Sequence, residues 1–258
     1  MGIFSSFIRD LPTYLLMMPV LLMAFSVHES AHGYAAYKLG DPTARNFGRI
    51  TLNPAKHIDI LGFICMLVAR IGWAKPVPIN ARHFKNPRRD MAITGAAGPV
   101  SNLLLAVVNL IALRVIILLM PNQFVYEAEL FSDGKLFTGT LGFTMMSLVV
   151  YLLYLGVFLN VCLAIFNLIP VPPFDGSRIF YAFLPPKWYF GVMKYERIIM
   201  MVMLVLIFFG FLDGPLAFIQ NGIINALLWV VGMGGKTDDF RVMNSMYGYI
   251  LTILQNLF

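Results

Sequence analysis

The chain contains 258 residues, of which 59% are hydrophobic and only 12% are charged, and its net charge is +6. Soluble domains carry about 25% charged residues, so this composition excludes an ordinary soluble enzyme, a disordered protein and a nucleic-acid-binding domain. The two cysteines, Cys65 and Cys162, lie inside apolar runs and predict neither a disulfide framework nor a cysteine metal site. The composition therefore predicts an integral membrane protein.

Long apolar stretches recur along the chain. A spanning helix needs roughly 20 predominantly apolar residues. The stretches that we predict to span the membrane are residues 11–39, 91–120, 139–169, 198–212 and 215–235. The predicted fold class is an all-α polytopic membrane protein with about five transmembrane helices, embedded in the lipid bilayer of the cell membrane.

A sixth apolar stretch, residues 57–73, is too short and too polar to be assigned by hydropathy alone, since it contains Arg70. The flanking segments 40–56 and 74–90 both carry an excess of Lys and Arg, which favours the cytoplasmic side for both. A spanning helix between them would separate them. We therefore predict that residues 57–73 form a re-entrant or shallow element that enters and leaves on the cytoplasmic side.

The loop between the stretches 91–120 and 139–169 is acidic, with Glu127, Glu129 and Asp133 against Lys135, which suits the outside. Five crossings then place the N-terminus outside. The domain organisation predicted on this basis is one membrane domain over residues 1–235, followed by a short, cytoplasmic and amphipathic tail over 236–258.

The most informative motif is His28-Glu29-Ser30-Ala31-His32, at the inner end of the first stretch. Residues four apart lie on one helical face, so both imidazoles can bind the same metal ion. Glu29 is placed to take a proton from a water that zinc has acidified. The alternative is ordinary interhelical hydrogen bonding, but three ionisable groups within five residues are costly in a membrane unless they are solvated, paired or metal-bound.

A catalytic zinc site keeps three protein ligands and one open position, so a third ligand must come from elsewhere. The candidates are Asp175, Asp59, His57 and Asp90. Asp175 is preferred because prolines end the predicted helix 139–169 before it and Gly176 allows a sharp turn beside it. The competing interpretation is that Asp175 only caps the next helix.

These two motifs together resemble the site-2 protease family of intramembrane zinc metalloproteases. In that family the pattern Asn-x-x-Pro-x-x-x-x-Asp-Gly supplies the third zinc ligand, and this sequence fits it at Asn167, Pro170, Asp175 and Gly176. A further family signature, Gly followed four residues on by Asn, is present at Gly98 and Asn102. The resemblance implies one Zn²⁺ held by His28, His32 and Asp175.

The segments 49–54 and 72–80 are similar to the short, single-domain bacterial branch of the family, which lacks PDZ and CBS domains. In that branch the corresponding region forms a membrane-associated strand hairpin, so the resemblance implies a hairpin within about residues 50–85. An exposed strand edge could bind an extended substrate, although ordinary interfacial turns are an equal alternative.

Two asparagines near the predicted zinc site are candidates for substrate binding. An amide in a dry site can hydrogen-bond a developing oxyanion or hold a substrate backbone, and we favour this role for Asn102. Asn167 is left open between this role and interhelical hydrogen bonding. His57 is a further candidate for the surroundings of the zinc, although an ordinary interfacial histidine fits it better.

The predicted function is intramembrane hydrolysis of peptide bonds in transmembrane proteins or peptides, near the cytoplasmic face, with Glu29 as the base and Zn²⁺ as the cofactor. No nucleic-acid partner is expected. Two alternatives use the same ligands: a metal transporter or metal sensor, and a homologue that binds substrates without cutting them. A transporter would normally show inverted repeats or further polar residues deep in its helices. The presence of Glu29 argues against an inactive homologue.

Overall fold

The computed structural model describes residues 3–62, 65, 72–133, 139–185, 192, 194–234 and 238–256. Its α-helices, in chain order, are α1 (Ile3–Lys38), α2 (Thr43–Asn46), α3 (Pro87–Leu118), α4 (Asn122–Ser132), α5 (Leu141–Asn167), α6 (Asp175–Phe183), α7 (Glu196–Phe208), α8 (Asp213–Val230) and α9 (Asp238–Asn256). Among the described residues, α1, α3 and α5 are each long and apolar enough to cross a membrane. The predicted all-helical, multi-pass class is therefore confirmed.

The helix that carries the His-Glu-x-x-His motif ends in a well-defined cap. Gly40 has a φ of 108°, in the left-handed region that favours glycine, and its N–H donates to the carbonyl of Tyr37. The next N–H, of Asp41, donates to the carbonyl of Ala36. This pair of bonds is the Schellman motif, which satisfies the last carbonyls of a helix and turns the chain away from its axis.

The fourth and fifth predicted spans, residues 198–212 and 215–235, contain two shorter helices that together make at most one candidate span among the described residues. Helices α7 and α8 are joined by a short break and are bent by 80° relative to each other, so that they form either one broken span or a re-entrant loop. α7 has 13 residues and is about 20 Å long, less than the roughly 30 Å of a bilayer core. Five spanning helices are therefore not confirmed, because hydropathy does not reveal a bend, which here begins at Gly210 with a φ of 72°.

The strand hairpin expected within residues 50–85 is not formed by the part of this region that the structure describes. A single antiparallel bridge joins Ile58 to Ala74, and the N–H of Lys75 donates to the carbonyl of His57. Pro76 and Pro78 have no N–H with which to continue a ladder. About half of the predicted re-entrant element, residues 63–64 and 66–71, lies outside the described residues.

The residues group into two compact units. The terminal unit comprises Met1–Leu21, Leu105–Leu159 and Ile223–Phe258, and the central unit comprises Leu22–Leu104 and Asn160–Gly222. The central unit contains the predicted zinc ligands.

In the terminal unit, helix α9 packs on α4 and on the beginning of α5. The hydroxyl of Tyr249 accepts a hydrogen bond of 2.8 Å from the N–H of Gly139, and its ring contacts Phe131. The ring of Tyr247 stacks on Tyr151 at 5.1 Å between centroids. The tail is therefore a packed amphipathic helix.

In the central unit, Asp41 ties the chain after α1 to residues 80–83. Its fully buried carboxylate accepts hydrogen bonds from the N–H of Asn80 at 2.7 Å, from Nδ1 of His83 at 2.8 Å and from both the N–H and the hydroxyl of Thr43. Burial alone would raise the pKa of Asp41, but these hydrogen bonds outweigh it and lower the pKa below its ordinary value.

We predict that Asp41→Asn destabilises the protein at pH 7 by roughly 1.5–3 kcal/mol, the contribution of a hydrogen bond to a charged group. Because folding lowers the pKa of Asp41, the contribution is fully present above the unfolded value near 4 and is lost as the pH falls through the folded value. Thermal unfolding of both proteins in detergent at pH 7, 5 and 3 measures the difference.

The difference between wild type and Asp41→Asn should shrink towards pH 3, because protonated Asp41 then resembles Asn. The exposed Asp133 gives a control, since Asp133→Asn should show no such trend. A difference between wild type and Asp41→Asn that stays constant from pH 7 to pH 3 would contradict the prediction.

Candidate metal centre

Three ligand atoms converge in the central unit. His28 and His32 lie on successive turns of α1, and Asp175 is the first residue of α6. Nε2 of each histidine lies 3.0 Å from Oδ2 of Asp175, and the two Nε2 atoms lie 3.0 Å apart. Within the described part of the chain, no other three His, Cys, Asp or Glu side chains bring their ligand atoms this close together.

The proton of His28 can be assigned from its surroundings. Nδ2 of Asn102 lies 3.3 Å from the carbonyl oxygen of Ala24 and 2.7 Å from Oδ1 of Asn160, and the carbonyl can only accept a hydrogen bond. The amide of Asn102 is therefore oriented with its oxygen towards His28, where it lies 2.6 Å from Nδ1. Nδ1 of His28 is therefore a donor, and Nε2 faces the cluster.

The same reasoning applies to His32. Its Nδ1 lies 2.7 Å from the carbonyl oxygen of Thr94, so Nδ1 is the donor and Nε2 faces the cluster. In their neutral forms both imidazoles therefore present a lone pair towards the carboxylate of Asp175. A cation between the three atoms would satisfy all of them.

The donor set fits a catalytic zinc ion. Zinc takes imidazole nitrogens and carboxylate oxygens, and catalytic sites keep three protein ligands with a fourth position open. Metal-binding histidines usually donate their other ring N–H to a carbonyl or amide oxygen, as His28 does to Asn102 and His32 does to Thr94. Both histidines are 5% exposed, which limits competing solvent ligands.

The turn after α5 brings Asp175 to the histidines. A Cβ on Gly176 would lie 2.3 Å from the carbonyl oxygen of Leu168, so only glycine allows the start of α6 to approach the end of α5 this closely. Asp175 is thus both the first residue of α6 and a member of the cluster. The two interpretations of Asp175, ligand and helix start, are compatible.

Glu29 lies beside the cluster and is only partly buried. Its Oε2 accepts a hydrogen bond of 2.9 Å from the backbone N–H of Val77. Oε1 is left for other partners. A carboxylate held in this way next to a metal site can exchange a proton with water.

The other candidates for the third ligand lie elsewhere. Nε2 of His57 is 2.8 Å from the carbonyl oxygen of Thr51, and the carboxylate of Asp59 accepts from the N–H of Gly62. Asp90 is bonded to the N–H of Asn86 and to Arg89 at the start of α3. None of the three belongs to the cluster of His28, His32 and Asp175.

The two asparagines proposed for substrate binding have different surroundings. Asn102 is fully buried, and its amide is used by His28, Ala24 and Asn160. That placement differs from the role expected from the sequence, because both amide hydrogens are already bonded within the protein. Asn167 is the last residue of α5, and its Nδ2 donates to the carbonyl of Leu163. A contact of either residue with substrate stays a prediction.

Two supporting residues were missed by sequence reasoning. Asn160 is 1% exposed and fixes the amide of Asn102, and an asparagine inside an apolar run is a signal that could have been noticed. Thr94 contributes only its backbone carbonyl, for which side-chain motifs give no signal.

Helix α3 approaches the cluster at a glycine, and we predict that Gly98→Ala weakens metal binding. A Cβ at this position would lie 2.5 Å from Nε2 of His32 and 2.6 Å from Cε1 of His28. The two rings must move, and we expect the affinity for zinc to fall by more than about tenfold, as changes around metal ligands do. A competition titration of the purified protein with a zinc chelator measures the affinity.

Gly222→Ala is the matched control, because a Cβ at Gly222 in α8 meets nothing within 4 Å. It should leave zinc affinity unchanged. Equal affinities in wild type and Gly98→Ala would show that the close approach of α3 does not constrain the ligands.

Comparison with known proteins agrees with this geometry. The model of Peptidase family M50 matches residues 16–210. The chain is 42% identical over 168 residues to "Putative zinc metalloprotease YwhC" of Bacillus subtilis, an alignment that covers 64% of this chain and 68% of that protein. It is 27% identical over 180 residues to "Putative zinc metalloprotease Rip2" of Mycolicibacterium smegmatis, covering 67% of this chain and 59% of that protein. No solved structure matches the chain significantly.

Proposed function

The chain belongs to Peptidase family M50, and on that basis we propose that it is a zinc endopeptidase that cuts transmembrane proteins or peptides within the bilayer. It is a membrane metalloprotease with several apolar helices. The observation that carries the proposal is the meeting of two imidazole nitrogens, from a helix long enough to cross a membrane, with the carboxylate of Asp175, beside Glu29. A transporter or sensor is not favoured, since the matched family is one of peptidases.

We assign His28, His32 and Asp175 as the ligands of one Zn²⁺. Zinc bound there supplies Lewis-acid chemistry, which acidifies water and polarises the scissile carbonyl. Asn102 and the carbonyl of Thr94 hold the two imidazoles with Nε2 unprotonated, so that both rings are ready to bind the ion.

Glu29 moves the protons. Oε1 takes a proton from the attacking water as the water oxygen bonds to the scissile carbonyl carbon, and the same carboxyl then gives that proton to the nitrogen of the leaving amine as the carbon–nitrogen bond breaks. One water is consumed, and the products are a carboxylate and an ammonium, because the second water proton passes from the new carboxyl group to the amine. The bond from Val77 to Oε2 holds the carboxylate while Oε1 exchanges the proton.

The substrate must reach this site as an extended segment. A transmembrane helix hides its carbonyls in intrahelical hydrogen bonds, so it has to unwind locally before hydrolysis, and helix-breaking residues lower the cost of doing so. We therefore expect cleavage near Gly, Pro or Asn inside an apolar segment.

A cleavage assay tests the function. The probe is a Lys-flanked, Leu-rich transmembrane peptide with a central Asn-Gly-Pro break and a fluorophore–quencher pair, mixed with the purified full chain in detergent. We expect cleavage inside the apolar segment, loss of cleavage after chelation of zinc, and recovery with one equivalent of zinc. Absence of cleavage, or cleavage that survives zinc removal, would overturn the proposal.

Because α9 packs on α4, we propose a membrane topology that differs from the one predicted from the sequence. If α7 and α8 together make one bent crossing, the chain crosses four times, through α1, α3, α5 and the α7–α8 pair. An even number of crossings returns the C-terminal helix to the side of the N-terminus and of α4, in agreement with the packing of α9 on α4. The basic loops 40–56 and 74–90 face the cytoplasm, and so does the metal centre at the inner end of α1.

Cysteine labelling checks this topology. In a variant without Cys65 and Cys162, single cysteines at the exposed positions Lys85, Glu129 and Asn244 are treated with a membrane-impermeant maleimide. We expect Glu129→Cys and Asn244→Cys to react in intact cells freed of their wall, and Lys85→Cys to react only in inside-out vesicles. If Asn244→Cys, like Lys85→Cys, reacts only in inside-out vesicles, the tail is cytoplasmic and the topology proposed here is wrong.

A further inference from the structure

We infer that residues 75–80 form a backbone support that holds Glu29 in position for the reaction, with Arg49 and Asp41 as the positioning residues that anchor it. The inference rests on the proposed function, since it assigns a role within that reaction. It is carried by a chain of contacts in the central unit that leads from two buried charged side chains to the carboxylate of Glu29.

The support touches Glu29 at one backbone group. The N–H of Val77 donates to Oε2 of Glu29 at 2.9 Å. Pro76 and Pro78 on either side have no N–H, so Val77 offers the one amide hydrogen of this tripeptide. The two prolines also restrict the backbone to an extended course before any contact is made, which reduces the entropy lost in holding the amide in place.

The side chain of Val77 fastens the same residue to α1. Val77 is 7% exposed, and its Cγ1 would lie 3.3 Å from a Cβ built on Gly33. Gly33 follows Glu29 by four residues, so both lie on one face of the helix. Val77 therefore packs on α1 one turn beyond the carboxylate that its amide binds.

Arg49 anchors the beginning of the support. Its Nη2 donates to the carbonyl of Lys75 at 2.6 Å, and the N–H of Lys75 donates to the carbonyl of His57. Arg49 is only 8% exposed and forms no ion pair with the described residues. Burying a guanidinium costs free energy unless it is hydrogen-bonded. The bond from Arg49 to the carbonyl of Lys75 therefore holds Lys75 in place.

Asp41 anchors the other end. Its Oδ2 accepts the N–H of Asn80 at 2.7 Å, while Oδ1 accepts from His83 and Thr43. Asp41 comes directly after the cap of α1, the helix that carries Glu29. The support is thus tied at both ends, with Val77 between the two anchors.

The two carboxylate oxygens of Glu29 therefore have different roles. Oε2 is held by Val77, and Oε1 is free to face water. A misplacement of a catalytic group by about 1 Å can cost about 100-fold in rate, so the support should raise the rate of hydrolysis by fixing the position of the Glu29 carboxylate. Loss of the support should slow the chemical step without removing zinc.

Hydrogen exchange tests the contact without any substrate. Because the neighbouring prolines carry no amide hydrogen and Lys75 becomes the free N-terminus, Val77 gives an isolated signal in a peptide that spans residues 75–78. We expect the Val77 amide to exchange at least about tenfold faster in Glu29→Ala than in wild type. Glu127→Ala is the matched control, because Glu127 also accepts a backbone N–H, that of Thr140, but in the terminal unit. Unchanged exchange at Val77 in Glu29→Ala would overturn the inference.

Kinetics test the role of the anchors. With the same transmembrane peptide, Arg49→Gln and Asp41→Asn should lower kcat by about 10- to 100-fold while KM and zinc content change less than twofold. Arg49→Lys should recover part of kcat, because an ammonium can still donate to the carbonyl of Lys75, and Glu127→Gln should keep the wild-type kcat. Full kcat in both anchor variants, or a loss confined to KM or zinc content, would overturn the inference.

The two proposals fail in different ways. A wild-type protein that does not cut the peptide in a zinc-dependent manner refutes the proposed function, whatever the exchange at Val77. A protein that cuts normally while the anchor variants keep full kcat refutes only the support. If an anchor variant does not fold, the exchange of Val77 in Glu29→Ala decides.

Discussion

Replacing Glu29 by Gln should slow peptide cleavage by about 100- to 10,000-fold, the contribution that a positioned general acid–base makes. Gln is nearly the same size and can still accept the N–H of Val77, so the surrounding structure should be kept. It cannot take a proton from water at neutral pH. The initial rate of cleavage of the transmembrane peptide, measured at equal zinc occupancy, gives the factor.

Two controls make the result interpretable. Glu29→Gln should hold the same amount of zinc as wild type, because Glu29 does not belong to the ligand cluster. Glu129→Gln, an exposed acidic position on α4, should cleave at the wild-type rate. Cleavage by Glu29→Gln at full rate would mean that another group carries the proton.

Removing Asp175 should have a different effect, on the metal itself. Asp175→Ala takes away one of the three ligand atoms and leaves two imidazole lone pairs 3.0 Å apart without their anionic partner. Changes to residues around metal ligands already cost about 10- to 100-fold in affinity, and loss of a ligand should exceed that. Zinc affinity by chelator competition and peptide cleavage should fall together.

Asp59→Ala is the informative comparison, since both aspartates were candidates for the third ligand. Asp59 accepts the N–H of Gly62 and lies outside the cluster, so its loss should leave zinc affinity unchanged. Retention of wild-type zinc affinity in Asp175→Ala would remove Asp175 from the ligand set.

The metal cluster could be predicted because its signals are local and specific. The spacing of His28 and His32 places both rings on one face of a helix, and the glycine after Asp175 allows the turn that delivers the carboxylate. The structure brings these three side chains together as expected. The low content of charged residues also helped, because an ionisable side chain at membrane depth is costly and therefore indicates a functional site.

The bend between α7 and α8 and the packing of α9 could not be predicted in the same way. Hydropathy measures the length of an apolar stretch but not the direction of its axis, so the runs 198–212 and 215–235 were read as two spans and the bend at Gly210 was not predicted. The helix α9 is stabilised by tertiary contacts of Tyr247 and Tyr249 with residues about 100 positions earlier, which no local pattern reveals.

The contacts around the cluster could not be predicted either, because they are made by backbone groups. Val77 meets Glu29 through its amide, and Thr94 meets His32 through its carbonyl, and every residue type except proline offers such an amide. The prolines around Val77 did indicate a rigid, extended segment. The strand hairpin to which they were expected to belong is not seen in the part of this region that the structure describes, because a residue without an N–H cannot continue a ladder.

X-ray absorption at the zinc edge of the purified protein tests the central claim most directly. We predict one zinc per chain with four nitrogen or oxygen neighbours at about 2.0–2.1 Å, two of them showing the outer-shell scattering of imidazole rings. Sulfur neighbours at about 2.3 Å, a single imidazole, or a protein that holds no zinc would contradict the assignment of His28, His32 and Asp175 as the metal ligands.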